Sequence, residues 1–126
     1  LHVEIDSAGT SDYHLDEAPD NRAVQKSKEY SIDISHLRGR QLVLDDFDRF
    51  DRIFVMDSSN YQNAISLTTD IEKQAKVELM LNLSYPGENR SVPDPYFGGE
   101  DGFEQVYQLL NNACDVLIDQ LKNESY

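Results

Sequence analysis

The residues best suited to chemistry lie late in the sequence, where Asp94 stands between two prolines. Each proline fixes its own φ at about −65° and disfavours a helical residue before it, so we expect Asp94 on a stiff, extended loop. Two aromatic residues and two glycines follow, which place the acid beside an apolar wall. Apolar surroundings raise a carboxyl pKa toward neutrality, as a general acid requires. The alternative is a surface turn, because Asp-Pro and Gly-Gly are common in turns.

Two other groups of reactive side chains suggest structural roles. Residues 45–51 combine four acids with two aromatic residues spaced as on one side of a helical turn. Without the glycine-containing spacing of a calcium loop, these acids are predicted to form a solvated face, not a metal site. Cys114 is the single cysteine. It falls on the apolar face of a predicted helix, where a free cysteine is usually a small buried hydrophobic residue.

Composition excludes several classes of protein. The 126 residues are predicted to form one domain, residues 1–126. A net charge of −13 repels phosphate backbones and anionic lipid, so neither nucleic acid nor a membrane is an expected partner. The sequence has no apolar run of bilayer length and no signal-peptide pattern, and one cysteine cannot form an intrachain disulfide. These features favour a reducing cytoplasm.

The elements that position these residues are predicted from apolar and turn-forming patterns. Residues 2–5 alternate and run into a turn, which is typical of a short strand. A helix is predicted from Pro19 to Tyr30, with Pro19 in its first turn and Asp20 at the positive end of its dipole. The linker that follows, residues 32–37, contains two isoleucines that we expect to be buried.

A second strand with its helix is predicted in the middle of the chain. Residues 52–56 form a largely apolar run, typical of a strand covered on both faces. Asp57 begins a strong cap signal before a helix from about Asn60 to Leu67. A short helix is predicted to open at Thr68.

The remaining residues predict a strand, a loop and a long helix. Lys76 to Leu81 is predicted as a third strand, and residues 85–100 as the loop that carries the acid. Residues 101–104 match a capping box. Apolar residues then recur three and four apart as far as Leu121, which predicts a long amphipathic helix packed on a sheet. Strands that alternate with helices imply a parallel sheet and an α/β fold.

The run Asp94-Pro95-Tyr96-Phe97-Gly98 resembles the acid loop of the low-molecular-weight protein tyrosine phosphatases. Further blocks follow that family's order: residues 6–11, Arg40-Gln41 with Asp46-Phe47 and Phe50-Asp51, and residues 54–57 with Asn60. The resemblance extends to about Leu121. It implies a three-layer α/β fold of the phosphotyrosine protein phosphatase I type. The parallel sheet of that family has four strands, and its central first strand is absent from this chain.

The resemblance also implies roles for individual residues. Asp94 would protonate the leaving phenolate and later activate water. Aromatic side chains would flank the substrate ring, namely Tyr13, Tyr96 and Phe97. Three residues would support the phosphate loop, namely Ser7, Asp57 and His36, although Asp57 can also cap a helix and His36 is one residue out of the family's spacing. The substrate would be a phosphotyrosine protein or a small aryl phosphate, the product inorganic phosphate, and no metal or cofactor would be required.

The sequence departs from the family at the nucleophile. Family members carry a Cys-x5-Arg phosphate loop near the N-terminus, whereas Cys114 is followed at the arginine position by Gln120. Cys114 therefore cannot serve as that nucleophile, and the chain alone is expected to be inactive. We expect about thirty further residues before Leu1, the length of a βα unit.

Two other functions remain open from the sequence. The chain without its nucleophile could be a catalytically dead phosphatase-like module that binds partners through its cleft or its acidic face. An arsenate reductase is the weaker alternative, because that activity needs additional redox cysteines and the sequence has only Cys114. A Cys-x5-Arg-Ser run at the native N-terminus would favour the phosphatase.

Overall fold

The computed structural model describes residues 3–10, 16–95 and 100–124, which form helices around a small parallel sheet. The elements are, in chain order, α1 (Asn21–Glu29), α2 (Asp46–Arg49), β1 (Ile53–Val55), α3 (Ser58–Ile65), α4 (Ile71–Gln74), β2 (Val77–Leu79), a 3₁₀ helix (Met80–Asn82) and α5 (Glu100–Glu124). The alternation of strands and helices confirms the predicted α/β class.

The two strands pair in parallel, as predicted. Ile53 is opposite Val77 and Val55 is opposite Leu79. The crossover between the strands contains α3 and α4, because parallel strands cannot be joined by a tight turn. The C-terminal ends of β1 and β2 therefore lie at the same edge of the sheet.

The sheet is covered on both faces. Val55 and Leu79 belong to one buried cluster with Ala64 of α3, which is fully buried. Phe54 points to the opposite face and packs against a second cluster that includes the fully buried Ala113 of α5. The described residues thus form the three layers expected from the sequence, with α3 and α5 on either side of the sheet.

The predicted first strand is wrong for the residues that the structure describes. Val3 and Ile5 lie outside any strand and are 47% and 87% exposed. Alternation stabilises a strand only where one face is buried and a neighbouring strand accepts its hydrogen bonds. Among the described residues of this stretch, Gly9 forms a parallel bridge with Gln41.

The other strand predictions hold with shorter bounds. β1 omits the two ends of the predicted run 52–56. β2 begins at Val77 and ends at Leu79, because the chain turns into the 3₁₀ helix at Met80. Met80 and Leu81 are buried nonetheless, so their apolar character predicted burial correctly but not backbone conformation.

The first helix and the linker after it differ from the prediction in detail. α1 begins at Asn21, and Asp20 is its N-cap, so Pro19 precedes the helix instead of occupying its first turn. In the linker Ile34 is half-buried, but Ile32 is 45% exposed, so the expected burial of both isoleucines is wrong.

The long last helix is confirmed, but two of its details are wrong. Asp101 lies inside α5, so it is not the cap residue of a capping box. Its supposed partner Glu104 instead accepts a hydrogen bond from the Tyr30 hydroxyl at 2.6 Å. Cys114 is exposed although the preceding Ala113 is fully buried, because a helix turns about 100° per residue and carries the thiol off the buried stripe.

Candidate active site

The acid segment, residues 91–95, lies against the C-terminal end of β1. The Val92 N–H donates to the Met56 carbonyl at 2.7 Å. The Ser58 N–H donates to the Ser91 hydroxyl at 3.3 Å. Asp94 follows these contacts and is exposed. The acid is therefore carried at the edge of a parallel sheet where α/β proteins bind their ligands, outside the carboxyl ends of the strands.

Asp57 lies beside this segment and caps α3. Its Oδ1 accepts a hydrogen bond from the Asn60 N–H at 2.7 Å, and its extended backbone is typical of an N-cap. The cap predicted from the sequence is confirmed. Because Met56 and Ser58 flank Asp57 and both bond to residues 91–92, the structure brings Asp57 and the acid segment together.

The other end of the acid segment rests on α5. Gly102 is buried, and a Cβ added to it would lie 2.3 Å from the Pro95 carbonyl oxygen. That separation is far inside van der Waals contact, so only glycine allows this approach. The acid segment is thus held between the end of β1 and the first turn of α5.

Ser7 lies in a second part of the structure, on the stretch that follows Ile5. It is exposed, and its N–H donates to the Asp6 carboxylate at 2.7 Å. A cavity of about 510 Å³ is lined by Ser7 together with Glu17–Asp20, Ile34 and Leu37–Gly39. His36 is exposed in the turn between these lining residues. Ser7 and the His36 turn are therefore neighbours across one cavity, while His36 itself is not among its lining residues.

The strongest polar feature near Ser7 was missed by the sequence. Asp46 is only 4% exposed, so the prediction that the acids of residues 45–51 form a solvated face is wrong for this one. Its carboxylate oxygens accept hydrogen bonds from both terminal nitrogens of Arg40, each at 3.1 Å. The Val43 N–H donates a further bond at 2.9 Å.

Arg40 connects this buried acid to the Ser7 stretch. Its Nε lies 3.2 Å from an Asp6 carboxylate oxygen, and the backbone bridge of Gly9 adjoins it. Burial favours the neutral form of Asp46, but the hydrogen bonds from Arg40 and Val43 outweigh it and hold its pKa below the usual value. One sequence feature could have indicated this burial: Asp46 directly precedes the aromatic Phe47, which is fully buried in the structure.

Three predicted site residues lie outside the described part of the chain: Tyr13, Tyr96 and Phe97. Their roles beside a substrate ring stay predictions.

The remaining reactive groups give no competing site. Desolvation and the nearby Asp115 raise the pKa of the Cys114 thiol, so at neutral pH it is mainly protonated. Within residues 3–10, 16–95 and 100–124, no cluster of three His, Cys, Asp or Glu side chains could hold a metal ion. In the same ranges, none of the helices combines the length and apolar character needed to cross a bilayer.

Comparison with known proteins agrees with this geometry. The Schizosaccharomyces pombe low molecular weight phosphotyrosine protein phosphatase is 43% identical over 114 residues, which cover 90% of this chain and 72% of that protein. The Gallus gallus protein of the same name is 35% identical over 92% of this chain and 73% of its own length. A crystal structure of a protein tyrosine phosphatase from Entamoeba histolytica superposes with a TM-score of 0.83 at 33% identity, covering 94% of this chain and 75% of that one.

The family match extends over the whole sequence. The family model described as low molecular weight phosphotyrosine protein phosphatase matches residues 1–126. With relatives above 30% identity and the same three-layer arrangement, this chain belongs to the low molecular weight phosphotyrosine protein phosphatases, a family of phosphoric monoester hydrolases.

Proposed function

We propose that the intact protein hydrolyses phosphotyrosine in proteins or small aryl phosphates, with Asp94 as the general acid. One observation carries this assignment: the backbone around Asp94 is held at the C-terminal end of β1 by the bond from Val92 to Met56. A general acid works only if its proton is delivered at a fixed position, so an acid on a held segment at this edge suits the role.

The proposed reaction has two steps. A cysteine thiolate attacks phosphorus, an S–P bond forms, and the bond to the phenolic oxygen breaks while Asp94 gives that oxygen its proton. In the second step Asp94, now a carboxylate, takes a proton from water as the water oxygen attacks phosphorus. The S–P bond then breaks, which releases inorganic phosphate and restores the thiolate.

The supporting residues are proposed to act around this centre. Asp57 and Ser7 would brace the phosphate loop, and His36 would do so from the adjoining turn. Aromatic side chains would flank the substrate ring, namely Tyr13, Tyr96 and Phe97. The role of Asp57 is supported by its position beside the acid segment. The role of Ser7 is supported by Arg40, which pairs with the preceding residue Asp6 and with the buried Asp46.

The nucleophile has to come from outside the 126 residues, because none of them completes a Cys-x5-Arg loop. We propose that the intact protein supplies this loop and that residues 1–126 form a single domain with it. A reducing cytoplasm is the proposed location, since a thiolate nucleophile must stay reduced.

The test is Asp94→Asn in the intact protein, measured by single-turnover phosphoryl transfer. Phosphotyrosine, whose leaving group needs a proton, should react about 10²–10⁴-fold more slowly. An aryl phosphate with a strongly acidic phenol should lose much less, because its leaving anion is already stable. Affinity for inorganic phosphate should stay the same or rise slightly, because a negative charge is removed.

Asp119 offers a matched control, because it is exposed near the C-terminal end of α5, far along the helix from its first turn. Asp119→Asn removes the same charge and should leave both rates unchanged. An equal loss for good and poor leaving groups in Asp94→Asn, or no loss, would show that Asp94 is only a turn residue.

A catalytically dead binding module is the second candidate, favoured by the missing nucleophile in these residues. Intact-mass analysis and N-terminal sequencing of the native protein separate the two. A Cys-x5-Arg-Ser run in the native protein supports the phosphatase, and a native protein without one supports the binding module.

A further inference from the structure

We propose that Gly102 is a positioning residue for Asp94: the first turn of α5 is the surface that sets where the acid stands. This inference rests on the proposed role of Asp94. The Pro95 carbonyl oxygen lies so close to Gly102 that an added Cβ would be 2.3 Å from it. Pro95 is bonded directly to Asp94, so the backbone that carries the acid is in contact with the helix itself.

The helix is a rigid support because it is fixed to the rest of the molecule along its length. Near its start, Glu104 accepts the Tyr30 hydroxyl bond from the end of α1. In its middle, Ala113 is fully buried against the second core cluster. Toward its end, Gln120 accepts a hydrogen bond from the Arg52 guanidinium at 3.0 Å. The first turn therefore cannot move away without disturbing contacts at three places along the helix.

The acid segment is the part that can yield. It is exposed at residues 93 and 94, and hydrogen bonds at Val92 and Ser91 connect it to the end of β1. Ordinary van der Waals contact begins near 3.4 Å, so a methyl group at position 102 has to displace the Pro95 carbonyl by about 1 Å. A displacement of that size misaligns a proton donor with the leaving oxygen, so the loss should be selective for substrates whose leaving group needs that proton.

The experiment is Gly102→Ala in the intact protein, measured with the same two substrates. We expect phosphotyrosine transfer to slow by on the order of tenfold or more, since small misplacements of a catalytic group cost up to about 10²-fold. Transfer from the aryl phosphate with the acidic phenol should change little. Affinity for inorganic phosphate and the cooperative thermal transition should both be retained.

Asn111→Ala is the matched control. Asn111 is exposed on the same helix, so this change also raises helix propensity but places no atom against Pro95. It should leave both rates unchanged. Three results with Gly102→Ala would overturn the proposal: both substrates react more slowly by the same factor, neither does, or phosphate binding or the cooperative transition is lost. Each result would mean that the acid segment did not yield selectively. A failure of the function itself would appear separately, as an Asp94→Asn variant without leaving-group dependence.

Discussion

Arg40 holds the buried carboxylate of Asp46 through two parallel hydrogen bonds of 3.1 Å, one to each oxygen. This geometry matches the planar guanidinium to the planar carboxylate, which lysine cannot do. The Nε of Arg40 also lies 3.2 Å from an Asp6 carboxylate oxygen. The pair therefore connects the buried start of α2 to the stretch that carries Ser7.

Removing the guanidinium should destabilise the protein strongly. Arg40→Met keeps the apolar stem but leaves the Asp46 carboxylate buried with one remaining N–H donor. We expect the free energy of unfolding to fall by about 1.5–3 kcal/mol, the range for hydrogen bonds to charged groups. Urea unfolding of the intact protein measures this loss in the free energy of unfolding.

Arg49→Met is the control for that experiment. Arg49 pairs with Glu4, but both side chains are more than half exposed, and exposed pairs contribute little. Its urea midpoint should stay close to that of the wild type. Equal shifts in the two variants would contradict a special role for the buried pair.

The Asp46 carboxylate should also shape stability at low pH. The pKa of Asp46 in the folded state lies below the usual 3.8. The ionised carboxylate therefore stabilises the fold at pH values above 3.8, and this stabilisation is lost as the pH falls through the folded-state pKa. Asp46→Asn should therefore be less stable at neutral pH and lose stability less steeply between about pH 5 and 2. Thermal unfolding at several pH values measures the slope.

The other acids with lowered pKa values contribute equally to the pH dependence of the wild type and of Asp46→Asn. Hydrogen bonds also hold the pKa values of Asp33 and Glu104 below their usual range, and both groups are present in wild type and variant alike. Identical slopes for wild type and Asp46→Asn would show that Asp46 is not ionised more readily in the folded state.

Asp57 allows its two roles to be separated. Asp57→Ala removes the bond to the Asn60 N–H and should cost about 1 kcal/mol of stability. Asparagine is an equally good cap, so Asp57→Asn should keep that stability. If Asp57 also braces the phosphate loop, both variants of the intact protein should bind inorganic phosphate less tightly. Unchanged phosphate affinity in Asp57→Asn would leave the cap as its single role.

Cys114 should be dispensable for the reaction. It lies exposed on α5, and its raised pKa keeps it protonated at neutral pH. Cys114→Ser should leave turnover of the intact protein unchanged, and residues 1–126 alone should hydrolyse no aryl phosphate. Measurable hydrolysis by residues 1–126 that Cys114→Ser abolishes would overturn the assignment of the nucleophile.

Features that depend on residues close along the chain could be predicted from the sequence. The Asp57 cap, the apolar run of β1 and the spacing from Phe103 to Leu121 are local signals, because a helix or strand presents its side chains with a fixed period. The acid loop could also be recognised, since Pro93 and Pro95 restrict Asp94 whatever surrounds them. Family, fold class and a candidate acid followed from these patterns.

Features that depend on partners distant along the chain became visible only in the folded structure. Ile5 fits an alternating pattern but is 87% exposed, and Asp46 is buried because Arg40 and Val43 donate hydrogen bonds to it there. The contact of Gly102 with Pro95 joins a helix to a loop, and no local pattern reports such an approach. Burial and close packing are set by which segments meet in space, and a sequence read along the chain gives the segments but not their meeting points.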